Sequence, residues 1–147
     1  MRRWLIVAAG LNGLAAVTAG AVAQHLWGDT AGSAQLAETA VRYGLPHAVA
    51  LLVLGALPVP SRKLARGLLA AAGASLALGV TLFAGALYAL AAGAPPVVTF
   101  VVPVGGSLMI LGWGLLLAYG VALERETKAS AQKSYRPALV SVPSATP

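Results

Sequence analysis

Apolar residues along this chain fall into four long runs, about 4–26, 39–59, 67–92 and 97–123, divided by short stretches rich in Gly, Pro, Ser and basic residues. A helix rises about 1.5 Å per residue, so roughly 20 apolar residues are needed to cross the ~30 Å hydrocarbon core of a bilayer. Each run meets that length, and the pattern predicts an all-α integral membrane protein, a four-transmembrane-helix bundle over residues 1–123. The second run meets it only by recruitment. Its strictly apolar part, Leu45 to Val59, covers about 22 Å, so the span has to begin near Thr39. Arg42, Tyr43 and His47 then lie in its outer third. Ionisable side chains at that depth are costly and normally face protein, water or a partner, which makes this stretch the first candidate for function.

Read as a helix, Glu38 to His47 sets Thr39, Tyr43 and His47 four residues apart on one face, with Glu38 and Arg42 as a second i, i+4 pair beside them. Pro46 has no backbone donor and Gly44 loosens the turn before it, so a kink or break is expected between Tyr43 and His47. The remaining runs carry stripes of small residues at helical spacing: Gly13, Ala16 and Gly20 in the first, Ala72, Gly79 and Ala86 in the third, Gly105 and Gly112 leading to Tyr119 in the fourth. Such stripes let helices approach closely in lipid. Pro103 with Gly105 and Gly106 is expected to bend or locally unwind the first third of the fourth run. Trp113 sits nearer mid-span than an interfacial belt residue would, so it reads as packed between helices with its N–H needing a partner.

Between the runs, Trp27 to Ser33 is turn-prone, with Thr30 or Ser33 able to cap the helix that follows. Pro58 and Pro60 stop the second run, and Gly93-Ala94-Pro95-Pro96 makes a tight uncharged turn. Residues 124–147 mix charged residues with Ser, Pro and Ala without an apolar period, and are expected to be a disordered cytoplasmic tail. The N-terminus also mimics a secretory signal, with Arg2 and Arg3, an apolar core and Ala21-Val22-Ala23 as a cleavage site. Its apolar run exceeds the usual h-region of about 7–15 residues, which favours retention as a span.

Composition sharpens this picture. The chain is 59% hydrophobic and 10% charged, with a mean hydropathy of +0.82, where a soluble domain would carry about 25% charged residues. The net charge of +6 does not read as nucleic-acid binding, because the basic residues flank apolar runs instead of sharing one soluble face. Arg2, Arg3, Arg62, Lys63, Arg66, Arg125, Lys128, Lys133 and Arg136 all fall on one side, against Arg42 on the other. The positive-inside rule therefore predicts both termini in the cytoplasm and His25 to His47 facing outward, in a cell (inner or plasma) membrane. Without cysteine, disulfides, thiolate metal sites and cysteine nucleophiles are excluded.

Four segments together resemble the YgdD-like small membrane proteins, classed as domain of unknown function 423: GAVAQH at Gly20 to His25, TAVRYGLPHAVALL at Thr39 to Leu52, LFAGALYALA at Leu82 to Ala91 and PVGGSLMILGW at Pro103 to Trp113. The resemblance covers about Leu5 to Leu123 and implies four transmembrane helices, with no activity attached. Its pattern falls on His25, Thr39, Tyr43, His47, Gly85, Tyr88, Pro103, Gly105, Gly106 and Trp113. The chain departs at Ala84 and Ala86, where the family tends to have serine, and at Val102, where it tends to have threonine, so three hydroxyls are missing from any polar path through the membrane.

For function, the sequence supports first a small binding or accessory protein in which His25, Thr39, Arg42, Tyr43, His47 and Tyr88 line an outward-facing site for a lipid headgroup, quinone or partner helix. Pro46, Gly85, Pro103, Gly105, Gly106 and Trp113 are read as packing or kink positions. Set against this is a purely structural role, with these groups satisfying one another and the carbonyls around Pro46. Haem or metal held by His25 and His47 is a minority reading, for want of a third ligand or a C-x-x-C-H motif, and otherwise no cofactor is expected. A transporter or channel would require an oligomer. Membrane lipids, a partner membrane protein or a second copy are the expected partners, and nucleic acid is not. Nothing resembles G-x-S-x-G or H-E-x-x-H, so catalysis is not expected.

Overall fold

The computed structural model describes residues 3–26 and 31–140, with no strand among them. Helix α1 spans Arg3–Leu26, α2 Ala31–Ala56, α3 Lys63–Ala91 and α4 Val101–Val140, the last preceded by a 3-10 turn at Pro96–Phe100. All four helices are long and apolar enough to cross a membrane. Residues 27–30, where the sequence predicts part of a turn, and residues 141–147, the end of the predicted tail, lie outside the described residues.

Small residues decide how the helices meet. On α1, Gly13 faces Ala48, Ala16 lies over Gly44 and Gly20 faces Val41 of antiparallel α2. Leu5, fully buried, reaches the backbone of both neighbours: a side chain at Gly55 or Gly73 would meet Leu5 or Ile6 within 2.7–3.0 Å. With Leu51, Leu54, Leu69, Leu76 and Val80 it forms the main core. The tightest seam joins α3 to α4. A Cβ at Gly79 would come within 2.8 Å of the Met109 backbone nitrogen, and one at Gly105 within 2.5 Å of the Phe83 nitrogen. Among the other three long helices, the α4 backbone comes close to α3, with no backbone-level approach to α1 or α2 among the described residues. The arrangement is thus a row, α1 on α2 on α3 on α4, with slight contact of α1 to α3.

The ends of α3 are fixed by local chemistry. Arg66 donates from Nε to the Pro60 carbonyl (3.3 Å) and from its guanidinium to the Ser61 carbonyl (3.0 Å), bracing the turn that leads into the helix. At the other end Gly93 takes φ of +90°, a left-handed conformation in which glycine carries no Cβ penalty, and the Ala94 N–H closes back on the Ala89 carbonyl at 2.9 Å.

Three expectations change. Helix α2 runs unbroken through Pro46, which is exposed, so its ring meets no neighbouring helix. The His47 ring adds a bond to the Tyr43 carbonyl, beside the Arg42 carbonyl that Pro46 leaves without its i+4 donor. Pro103 does not unwind α4, because the helix begins at Val101 and the proline occupies its first turn, where backbone donors have no intrahelical acceptor in any case. Past Leu123, where disorder is expected, α4 continues to Val140. That stretch is rich in Ala, Glu, Lys and Arg, strong helix formers, and Lys128 pairs with Glu124 one turn away at 2.6 Å.

Candidate functional site

His47 is buried, 8% exposed, on the side of α2 that faces α4. Its Nδ1 lies 2.8 Å from the Tyr43 carbonyl, and its Nε2 lies 3.1 Å from the indole nitrogen of Trp113. A carbonyl can only accept and an indole N–H can only donate. The imidazole is therefore neutral and protonated on Nδ1, with the Nε2 lone pair committed to Trp113. The two rings also meet edge to face, centroids 5.9 Å apart. This clasp ties α4 to α2 across a gap that the backbones do not close. A metal at Nε2 would have to displace the Trp113 N–H, and among the described residues no three His, Asp or Glu side chains gather as a metal site.

The other residues singled out in the sequence do not converge on His47. In the α1/α2 register, Ala48 lies level with Gly13, so His25 is about eleven residues, roughly 16 Å, farther along α1; it is exposed at the end of that helix. The Thr39 hydroxyl turns back to the Gln35 carbonyl at 2.9 Å, the usual bond of a mid-helix threonine. Arg42 pairs with Glu38 at 2.7 Å, both side chains well exposed. The Tyr43 ring packs edge-on against Phe83 of α3, centroids 5.1 Å apart. Gly85 is open, with nothing near its missing Cβ, and Gly106 has only Phe83 within reach, at 3.9 Å.

Tyr88 belongs to a second polar group, on the opposite side of α3. Between α1 and α3, floored by Gly44, runs a groove of about 240 Å³ lined by Leu11, Asn12, Thr81, Gly85 and Tyr88 among others. Asn12 donates from Nδ2 to the Ala8 carbonyl (2.9 Å) and to the Thr81 hydroxyl (3.2 Å). Thr81 has one proton to give, and the Ala77 carbonyl at 2.8 Å takes it in preference to Asn12 Oδ1 at 3.4 Å. Asn12 Oδ1 is thus left as an acceptor without a good donor, on the groove wall. The Tyr88 hydroxyl, over Gly44, is buried and has no hydrogen-bond partner among the described residues. Asn12 escaped the sequence reading because one amide in a long apolar run has no pattern of its own. The signal that could have found it was the cost of an amide near the middle of a span.

Comparison with known proteins bears on identity. Residues 19–106 match the family model described as "Protein of unknown function (DUF423)". The chain is 32% identical over 122 residues to a "UPF0382 membrane protein" of Haemophilus influenzae, covering 82% of this chain and 94% of that one. No solved structure matches.

Proposed function

This chain belongs to the DUF423 family of membrane proteins, and from that premise we propose that it is a small binding protein of the cell membrane whose α1/α3 groove takes a lipid-soluble molecule bearing a hydroxyl or N–H donor. The observation that carries the reading is the Asn12–Thr81 pair. It stands on a groove wall near the middle of α1, where an amide in hydrocarbon is costly unless something shares its hydrogen bonds. The free donor of such a ligand would meet Asn12 Oδ1, and its apolar body would lie against Leu11 and over Gly85. Tyr88, which also lines the groove, brings a second polar side chain to it. The histidine at position 47 has no part in this site, since both ring nitrogens are engaged.

Mass spectrometry of the protein released from mild detergent tests this. The wild type should carry a small apolar adduct that Asn12→Leu and Gly85→Phe both lose. Gly85→Phe fills the groove from a position whose Cβ meets no atom, so the protein should stay folded. An adduct retained in both variants would exclude the groove.

The same reading takes both termini as cytoplasmic, on the distribution of the basic residues. The chain has no cysteine of its own, which makes single-cysteine labelling clean. With a membrane-impermeant maleimide on intact cells, Ala94→Cys should label and Ser61→Cys should label only after lysis. The reverse pattern would invert the topology.

A further inference from the structure

The open side of α2 carries an ion pair at a depth where a lipid-facing helix ordinarily carries none. Glu38 and Arg42 pair at 2.7 Å, one turn apart, with 69% and 72% of their side chains exposed. Counted from the end of α2 at Ala56, Arg42 stands about 21 Å and Glu38 about 27 Å along the axis, both within the ~30 Å hydrocarbon core. Charges at such a depth normally turn toward protein or a water-filled cavity, whereas this pair lies on a side of α2 that no other described helix covers. The stripe that holds it is regular. Gln35, Glu38, Arg42, Leu45, Val49 and Leu52 are all exposed and follow one another at intervals of three and four residues, the a and d positions of a heptad. Arg42 and Val49 take a positions, Leu45 and Leu52 d positions, and a β-branched residue at a with leucine at d favours a parallel pair of helices. Beside them Pro46, also exposed, leaves the Arg42 carbonyl without its i+4 donor, so this face offers a backbone acceptor as well as the ion pair.

We propose that this face of α2 is a homodimer interface, packed on the α2 of a second copy about a two-fold axis along the membrane normal. Two copies inserted in the same sense bring the helices together in parallel, and such an interface is isologous, each surface facing itself. The Glu38–Arg42 pair suits that symmetry. Each Arg42 keeps its own Glu38 and stands one turn from Glu38 of the second copy, so four charges of alternating sign close into a neutral ring. A guanidinium has five N–H donors, and the bond to Glu38 uses one of them. Below the ring, Leu45, Val49 and Leu52 meet their counterparts as an apolar seam. A lipid phosphate would meet the Glu38 carboxylate as well as Arg42, and an acyl chain would leave both charges in hydrocarbon. None of these residues lines the α1/α3 groove, so the interface and the groove stand or fall separately.

Crosslinking and charge exchange test the interface on the full chain. The sequence has no cysteine, so Leu45→Cys reports on the seam and Ile110→Cys, 76% exposed on α4, reports on random encounter. In membrane vesicles treated with copper phenanthroline, Leu45→Cys should become a disulfide-linked dimer while Ile110→Cys stays monomeric. In mild detergent, with the oligomer read by native mass spectrometry, Arg42→Gln should weaken dimerisation about tenfold, since two crossed pairs are lost at roughly threefold each. Glu38→Arg alone brings four positive charges together and Arg42→Glu alone four negative ones, so each should be monomeric. Co-expressed, the two should pair as a heterodimer, which a misfolded variant could not do. Wild type that is monomeric in both settings, its ion pair reaching instead to the lipid headgroups, would overturn the proposal. Equal crosslinking at the two cysteines would do the same, as would charge variants that keep wild-type helicity yet fail to pair when mixed. The crosslinking result decides the matter by itself if either charge variant does not insert.

Discussion

Gly105→Val should prevent α4 from docking on α3 and leave little folded protein in detergent. The glycine's missing Cβ would stand 2.5 Å from the Phe83 nitrogen, 2.8 Å from the Gly79 carbonyl and 2.9 Å from the Phe83 Cα. These are backbone atoms, which cannot rotate away as a side-chain tip can. Overpacking in a filled core costs about 1–3 kcal/mol when side chains can adjust, and here the adjustment required is separation of two helix axes along the whole seam. Separation would also undo the seat of Met109 against Gly79 and of Leu76 against Gly112. The measurement is denaturant-induced loss of helicity in mixed micelles, beside Gly67→Val, where nothing lies within 4 Å of the missing Cβ. Gly105→Val should lose about 3 kcal/mol or more, Gly67→Val less than about 1 kcal/mol. Similar midpoints for the two would mean that the α3/α4 seam is looser than its geometry shows.

Trp113→Phe should destabilise the protein by about 1–2 kcal/mol although it keeps an aromatic ring in place, because it strands the Nε2 lone pair of the buried His47. His47→Leu strands the indole N–H in the same way. The double variant Trp113→Phe/His47→Leu removes both polar partners at once, and should cost less than the sum of the two. Side-chain hydrogen bonds between membrane helices average about 0.6 kcal/mol in such cycles and reach about 1.7. The upper half of that range is expected here, since the imidazole is fixed at both nitrogens and has no alternative partner to turn to. Additivity within about 0.3 kcal/mol would show that the pair is only a ring contact.

How much of this was legible in the chain varies by feature. The spans were legible because hydrocarbon thickness is a ruler that sequence can be laid against. The faces of contact were legible too: Gly13, Ala16 and Gly20 do look toward α2, and Gly79, Gly105 and Gly112 do carry the α3/α4 seam. That Trp113 needs an acceptor follows from its chemistry and position. Which acceptor it finds does not, since His47 and Trp113 are 66 residues apart and nothing local encodes their meeting. The grouping of His25 with His47 rested on both being near one membrane surface, and the antiparallel register separates them along the axis. Asn12 and Thr81 are joined only by the slight approach of α1 to α3, a tertiary fact with no trace in periodicity. The prolines misled for a common reason. Pro46 and Pro103 were weighed by what they remove, whereas the first faces no helix and the second sits where a helix has no bond to lose.

The length of α4 has a consequence outside the membrane. Its 40 residues amount to about 60 Å of helix, twice the ~30 Å that the hydrocarbon core can cover. From Leu123 to Val140 the helix advances roughly 25 Å. Screened by physiological salt, the field of the headgroups fades over about 8 Å, so the first turns of this stretch stand within it and the last turns stand some three screening lengths outside it. A molecule that meets the tip of this mast encounters it in bulk electrolyte, indifferent to the charge of the lipids below. One that meets its root has to contend with the bilayer as well.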